Sequence, residues 1–306
     1  MRKLFYLINQ SDAFYADAHL LSFGGSQSNA MLALAQLAHA RCMPFTYFSR
    51  ELRLQTEMTD TLEGNLSMAK ALGMQHVQLH ADAYQHLART RDFAAFLDMN
   101  QRLGTRNLYV PQGAAFPEAQ DGVKLLADEI NEYVQTQYRD KYFSVVVPCG
   151  TGTTALYLAQ HLQPEIKLFA ILCVGDTAYL QQQFQQLIEQ DPSLHSTTAV
   201  LPRVTKPTRK SRFGRLWRPL YDMYHEVLQE TGVDFDLVYG AFAWHTLFSD
   251  EGVLDEVLQD RHEISVASTE HDSGDRHQRE LLYIHTGGTS GNASMLARYA
   301  YKKKLE

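Results

Sequence analysis

The run from Ser144 to Ala155, Ser-Val-Val-Val-Pro-Cys-Gly-Thr-Gly-Thr-Thr-Ala, constrains the fold more than any other stretch of the chain. The apolar segment Tyr142 to Val147 reads as a buried strand, and a helix beginning near Thr154 follows within a few residues. Between them, glycines at 150 and 152 permit close backbone approach, and Thr151, Thr153 and Thr154 supply hydroxyl donors. A loop of this make-up at a helix N-terminus suits an anion, because the first helical N–H groups have no intrahelical partner. No Lys or Arg lies between Tyr142 and Ile166. The spacing G-x-x-x-x-G-K is absent there too, so the run is not a nucleotide P-loop. An ordinary strand-to-helix turn fits the same residue types.

The strand, glycine turn and helix pattern occurs earlier as well. Ala18 to Phe23 is an apolar strand, Gly24-Gly25-Ser26-Gln27-Ser28-Asn29 a polar turn, and the helix that follows to about Ala40 buries Met31, Leu32, Leu34, Ala35 and Leu37. Further strands are predicted at Pro44 to Phe48, His76 to Leu79 and Asn107 to Val110, with helices at Asn65 to Leu72 and within Ala83 to Leu103. After Pro111-Gln112-Gly113 come a helix at Gly122 to Gln137, a strand at Lys167 to Val174, a helix at Thr177 to Glu189 and a strand at Thr197 to Leu201. Helices at Leu220 to Thr231 and Val253 to Leu258, a strand at Glu280 to His285 and a helix at Ser294 to Tyr301 complete the chain. This β-α-β alternation predicts an α/β protein with largely parallel sheets. Its two three-layer αβα lobes are a smaller one over residues 1–117 and a larger one over 118–306. Ligands bind at the carboxyl edges of such sheets. Four segments are candidates for that edge: Gly24 to Asn29, Gly150 to Thr154, Leu237 to Gly240 and His285 to Gly288.

Composition narrows the function. A net charge of −7 and a pI near 6.0 provide no broad basic face, so neither nucleic acid nor an anionic membrane is an expected partner. The locally basic stretch Arg203 to Arg218 reads as a solvated loop. The cysteines Cys42, Cys149 and Cys173 lie far apart with no C-x-x-C pair, which points away from zinc ribbons and disulfide scaffolds and towards a reducing cytoplasm. No segment reads as a signal peptide or a membrane span. His76 and His80 fall on a predicted strand, where residues four apart stand roughly 13 Å from each other. No metal site is expected.

In this order and spacing the motifs resemble the pyridoxal-phosphate enzymes of the tryptophan-synthase-β-like fold, fold type II. They are most similar to the 1-aminocyclopropane-1-carboxylate (ACC) deaminase and D-cysteine desulfhydrase family. The resemblance rests on Arg2-Lys3-Leu4, Gly-Gly-Ser-Gln-Ser-Asn at 24 to 29, Pro-Gln-Gly at 111 to 113, Gly-Thr-Gly-Thr-Thr at 150 to 154, Asp-Leu-Val-Tyr-Gly at 236 to 240 and His-Thr-Gly-Gly at 285 to 288. It implies pyridoxal 5′-phosphate as cofactor, with Gly150, Thr151, Gly152, Thr153 and Thr154 as the phosphate cup. Asn29 would bond the phenolic oxygen, and Thr286 would place a neutral hydroxyl at the ring nitrogen. Ser28 would assist proton movement beside the substrate, and Tyr239 would contact the substrate and serve in acid–base steps. Because Gly240 stands where the deaminase branch has a glutamate, the resemblance leans to the desulfhydrase-like branch. That branch implies α,β-elimination on a small amino acid to give pyruvate and ammonia, in a cytoplasmic homodimer.

The resemblance also shows where the chain departs from the pattern. The family forms its Schiff base with the first lysine of Asn-Lys-x-Arg-Lys-Leu, and Met1-Arg2-Lys3-Leu4 begins just after that lysine. The chain as it stands is therefore expected to be truncated before the Schiff-base lysine and to be inactive. A start codon placed too late, a fragment and a pseudoenzyme each account for this. Lys3 would have to act from one helical turn away, roughly 4.5 Å along the axis. Phe213-Gly214-Arg215-Leu216 and Tyr239-Gly240-Ala241-Phe242 also depart from the usual segments and bear on substrate specificity. The alternative expectation is a non-catalytic fold relative that binds a phosphorylated ligand or a partner subunit.

Overall fold

The computed structural model describes residues 2–51, 64–97, 106–195, 199–209, 214–259 and 279–303. The chain forms two compact units, Met1–Gly122 together with Gly287–Glu306, and Val123–Thr286. The sequence places the lobe boundary at 117/118 and the whole C-terminus in the second lobe. In the structure the last segment, with its helix Asn292–Lys303, clusters with the first unit instead.

The first unit is built on a parallel sheet of β1 (Ala18–Phe23), β2 (Phe45–Arg50), β3 (Gln75–Leu79) and β4 (Arg106–Val110), in the order β3-β2-β1-β4. Leu20 stands opposite Phe45 and Leu108, which sets the register of the central strands. All six residues of β1 are buried, so this strand is covered on both faces. Its side chains alternate accordingly. Leu20 joins Phe45, Tyr47 and the stripe of the helix Asn29–Ala40, while Leu21 and Phe23 join Phe48, Leu87 and Phe93 on the other face. The short turn Arg2–Leu4 and helix Phe5–Ile8 add Leu4 and Leu7 to the first of these clusters. Of the helices predicted within Ala83 to Leu103, the described part contains Ala81–Thr90 and a turn at Ala94–Phe96.

The second unit repeats the plan with β5 (Tyr142–Cys149), β6 (Lys167–Leu172), β7 (Arg203–Thr205) and β8 (Arg279–Tyr283), all parallel in the order β7-β6-β5-β8. Val145, Val146 and Val147 are fully buried, as are Ala170 and Ile171 beside them. Leu156, Tyr157 and Leu158 of the helix Thr153–His161 are fully buried too.

Sequence expectations are corrected in two regions. The strand predicted at Thr197 to Leu201 lies elsewhere. Residues 197–198 fall outside the described part, and Ala199 to Leu201 have no regular structure, with Val200 and Leu201 57% and 56% exposed. Pairing with β6 begins only beyond Pro202, at Arg203, whose guanidinium lies over the Phe169 ring at 5.7 Å. The basic stretch is thus not one loop. It starts as an edge strand, and Arg218 opens the helix Arg218–Thr231, while 210–213 lie outside the described residues. Second, Leu237 to Gly240 does not end a strand. It is a turn leading into the buried helix Gly240–Ser249, whose Ala-Phe-Ala-Trp run carries too little polar contrast to show a helical period.

Candidate functional site

In the second unit, β5 runs straight into Gly150-Thr151-Gly152 and the nine-residue helix Thr153–His161. Gly152 is the N-cap in a left-handed conformation, φ +74°, and the first helical bond is Leu156 N–H to the Gly152 carbonyl at 2.9 Å. The N–H groups ahead of Leu156 therefore have no acceptor within the helix. A Cβ on Gly152 would stand 2.4 Å from Phe184 Cε1 and 2.6 Å from Leu180 Cδ1, so both backbone angle and space demand glycine here. The Thr151 and Thr153 hydroxyls are 3.1 Å apart. Thr153 is buried, whereas Thr151 and Thr154 are half-buried.

Tyr239 belongs to the same unit and closes one side of this loop. A Cβ on Gly150 would come within 3.0 Å of the Tyr239 hydroxyl. Tyr239 is held by a residue that the sequence pattern does not single out, although it begins the motif that contains the tyrosine. Asp236, 4% exposed, accepts backbone N–H bonds from Val238 at 3.0 Å and Tyr239 at 2.6 Å on Oδ1, and from Gly240 at 2.9 Å on Oδ2. Burial raises the Asp236 carboxyl while these three donors lower it. Burial is also the main cause that pushes the Tyr239 phenol well above its ordinary value, with Cys173, Asp236, Tyr179 and Cys149 acting in the same direction. The hydroxyl therefore keeps its proton to higher pH than an ordinary phenol does.

Thr286 lies exposed three residues beyond β8, whose last residue Tyr283 pairs with Val146 of β5. It therefore occupies the same carboxyl edge of the sheet as the Gly150 loop. Its neighbour His285 donates from Nε2 to the Asp234 carbonyl at 2.9 Å and stacks on Phe235 with ring centroids 4.7 Å apart.

Ser28 and Asn29 belong to the first unit, at the carboxyl end of β1. Tyr47 donates its hydroxyl to the Gly25 carbonyl at 3.1 Å beneath the turn. Ser28 is the N-cap of the helix Asn29–Ala40, its oxygen accepting the Met31 N–H at 3.2 Å, which leaves the hydroxyl proton to be donated elsewhere. The Asn29 amide oxygen accepts from Asn65 Nδ2 at 2.8 Å, a second residue that the sequence pattern leaves unmarked. Lys3 donates its amine to the Gly113 carbonyl.

No family model and no curated protein sequence matches the chain. Solved structures do. An ACC deaminase homologue superposes with a TM-score of 0.74 at 20% identity over 98% of this chain and 82% of its own. The chain has the tryptophan-synthase-β-like fold. A fungal L-serine ammonia-lyase from Rhizomucor miehei shares that fold at a TM-score of 0.58 and 13% identity, over 100% of this chain and 88% of its own. A hydrogen sulfide-producing enzyme from Fusobacterium nucleatum has a TM-score of 0.50 at 12% identity, over 80% and 79% of the two chains. The resemblance carried by the motifs thus stands at the level of the tryptophan-synthase-β-like fold. Among the described residues, no helix is long and apolar enough to cross a membrane.

Proposed function

We propose that the chain is a pyridoxal-phosphate-dependent lyase or deaminase that acts on a small amino acid by α,β-elimination in the manner of a D-cysteine desulfhydrase, expelling the β-substituent (sulfide from a cysteine) and releasing pyruvate and ammonia after hydrolysis. The observation that carries this reading is the Gly150 to Thr154 loop, a cradle at a helix start whose N–H groups lack intrahelical acceptors, with Gly152 held in a left-handed conformation against the buried Leu180 and Phe184. That cradle fits a phosphate dianion without a lysine or arginine in the loop, because the N-terminal end of the helix carries about half a positive charge. Hydroxyls of Thr151, Thr153 and Thr154 would add donors. When bound, the cofactor supplies an electron sink for a substrate carbanion.

The remaining work falls to this chain's own side chains. Asn29 presents its amide to the phenolic oxygen. Ser28 has a hydroxyl proton to give, because its oxygen already accepts the Met31 N–H. The Tyr239 oxygen, beside the Gly150 loop, would contact the substrate and serve in acid–base steps. Thr286 offers the ring nitrogen a neutral hydroxyl, which suits elimination coupled to loss of a β-substituent. We assign no covalent role to Lys3. A homodimeric, cytoplasmic protein belongs to the same proposal.

Two measurements test it. Equilibrium dialysis of the purified chain should show saturable pyridoxal-phosphate binding that is weakened by Gly152→Ala. Because Lys3 is given no covalent role, turnover is read on the same chain carrying an N-terminal extension that ends in Asn-Lys: loaded with the cofactor and incubated with D-cysteine, L-cysteine and ACC, it should release an oxo acid and, from a cysteine, sulfide. Absence of binding overturns the cofactor reading. Binding without turnover of any of the three overturns the catalytic part and favours a non-catalytic relative that holds a phosphorylated ligand.

A further inference from the structure

We propose that Asn65 is a positioning residue that fixes which end of the Asn29 amide faces the ligand, so that Asn29 presents a hydrogen-bond donor. The two ends of an asparagine amide are alike in shape and opposite in chemistry, one donating and the other accepting. A neighbour must therefore decide between them.

The decision can be followed atom by atom from a backbone carbonyl. Asn65 is 1% exposed, and its Nδ2 lies 3.0 Å from the Gln27 carbonyl. A carbonyl only accepts, so the atom facing it must be the nitrogen. The Asn65 oxygen then points the other way, where it accepts the Ser290 hydroxyl at 2.7 Å. The second hydrogen on Nδ2 needs an acceptor, which is Asn29 Oδ1 at 2.8 Å. With its oxygen committed there, Asn29 is left with Nδ2 on the side of Gly288, where it donates to no described residue. Gly288, at φ +93°, walls this slot. A Cβ there would lie 2.3 Å from Asn29 Nδ2 and 3.0 Å from Cγ.

The consequence is a discrimination by charge. An amide nitrogen that has no acceptor among the described residues favours an anionic or acceptor oxygen, and a flipped amide would repel one. The identity of that oxygen as the phenolic oxygen of pyridoxal phosphate rests on the function proposed above. The orientation of Asn29 does not.

The test is a double-substitution cycle read by cofactor affinity, together with NMR of the ligand-free protein. Asn65→Asp keeps the shape but has no hydrogens to give, so it draws Asn29 Nδ2 towards itself. Loss of one hydrogen bond to a charged acceptor should weaken pyridoxal-phosphate binding about 10- to 100-fold. In an Asn29→Ala background, Asn65→Asp should change affinity by no more than about twofold, the scatter of uncoupled sites. Equal losses in both backgrounds would mean a merely structural role and overturn the proposal. Should Asn65→Asp fail to fold, Asn65→Ala in the same two backgrounds decides the question by the same comparison. In the ligand-free protein, the Asn29 side-chain amide resonances should shift on Asn65→Asp, and unmoved resonances overturn the orientation argument. Failure of the wild-type chain to bind pyridoxal phosphate would instead defeat the proposed function and leave this NMR measurement to decide the orientation.

Discussion

Gly152→Ala should be among the more costly single-methyl additions in the second unit, because two separate penalties coincide at one residue. The first is conformational. Gly152 has φ +74°, and an L-residue in that region costs about 1–2 kcal/mol. The second is steric, since the new Cβ would start 2.4 Å from Phe184 Cε1 and 2.6 Å from Leu180 Cδ1, both on buried side chains of the helix Thr177–Gln190. Overpacking of this kind costs about 1–3 kcal/mol. Together the two predict about 2–5 kcal/mol, a sizeable part of the roughly 5–15 kcal/mol that holds a typical protein folded. Gly232→Ala supplies the control that separates them. Gly232 has nearly the same backbone angle, φ +69°, but nothing lies within 4 Å of its Cβ position, so only the conformational penalty applies. Urea midpoints of the two variants, measured side by side, should place Gly152→Ala below Gly232→Ala by the steric share. Equal midpoints would show that Phe184 and Leu180 move aside without cost, and the account of a rigid cradle would be wrong.

Asp236→Asn should lower stability by about 1–3 kcal/mol, because an amide NH₂ placed against backbone N–H groups leaves at least one of the three buried donors without an acceptor. A chemical-denaturation midpoint that stays at the wild-type value would remove Asp236 from the set of groups that hold Tyr239. Burial, reinforced by Lys70, lowers His76 from 6.5 to about 4, while its Nε2 stays 2.8 Å from the Ser49 hydroxyl. The unfolded chain takes up that proton near pH 6.5 and the folded chain only near 4, so the contribution of His76 to stability is whole above pH 6.5 and declines as the pH falls through that window. His76→Gln should reduce the slope of melting temperature against pH between 6.5 and 4 without abolishing it, since burial also lowers His19, His161 and His245. An unreduced slope would refute the assignment.

What sequence alone made legible follows from how local each signal is. Strands such as β1 and β5 announce themselves because a strand buried on both faces must be apolar at nearly every position, and the Gly150 loop does so because its chemistry is contiguous. The helix Gly240–Ser249 hides because its residues are apolar nearly all round, exposed Phe248 included, which erases the period by which a helix is recognised. The edge strand β7 hides because only three residues pair, and the apolar run just before it is exposed. Asn65 is the clearest instance of information that only the fold holds. A Gly-Asn pair at a helix start reads as punctuation, and nothing in it points to partners 36 and 225 residues away. Yet those partners give the residue its meaning. Asn29 can be chosen from its own motif as a candidate donor, but whether it donates or accepts is settled by Asn65, and Asn65 is settled by the Gln27 carbonyl two residues before Asn29. The turn that carries Asn29 therefore helps fix that residue's chemistry, through a side chain that only folding brings to it.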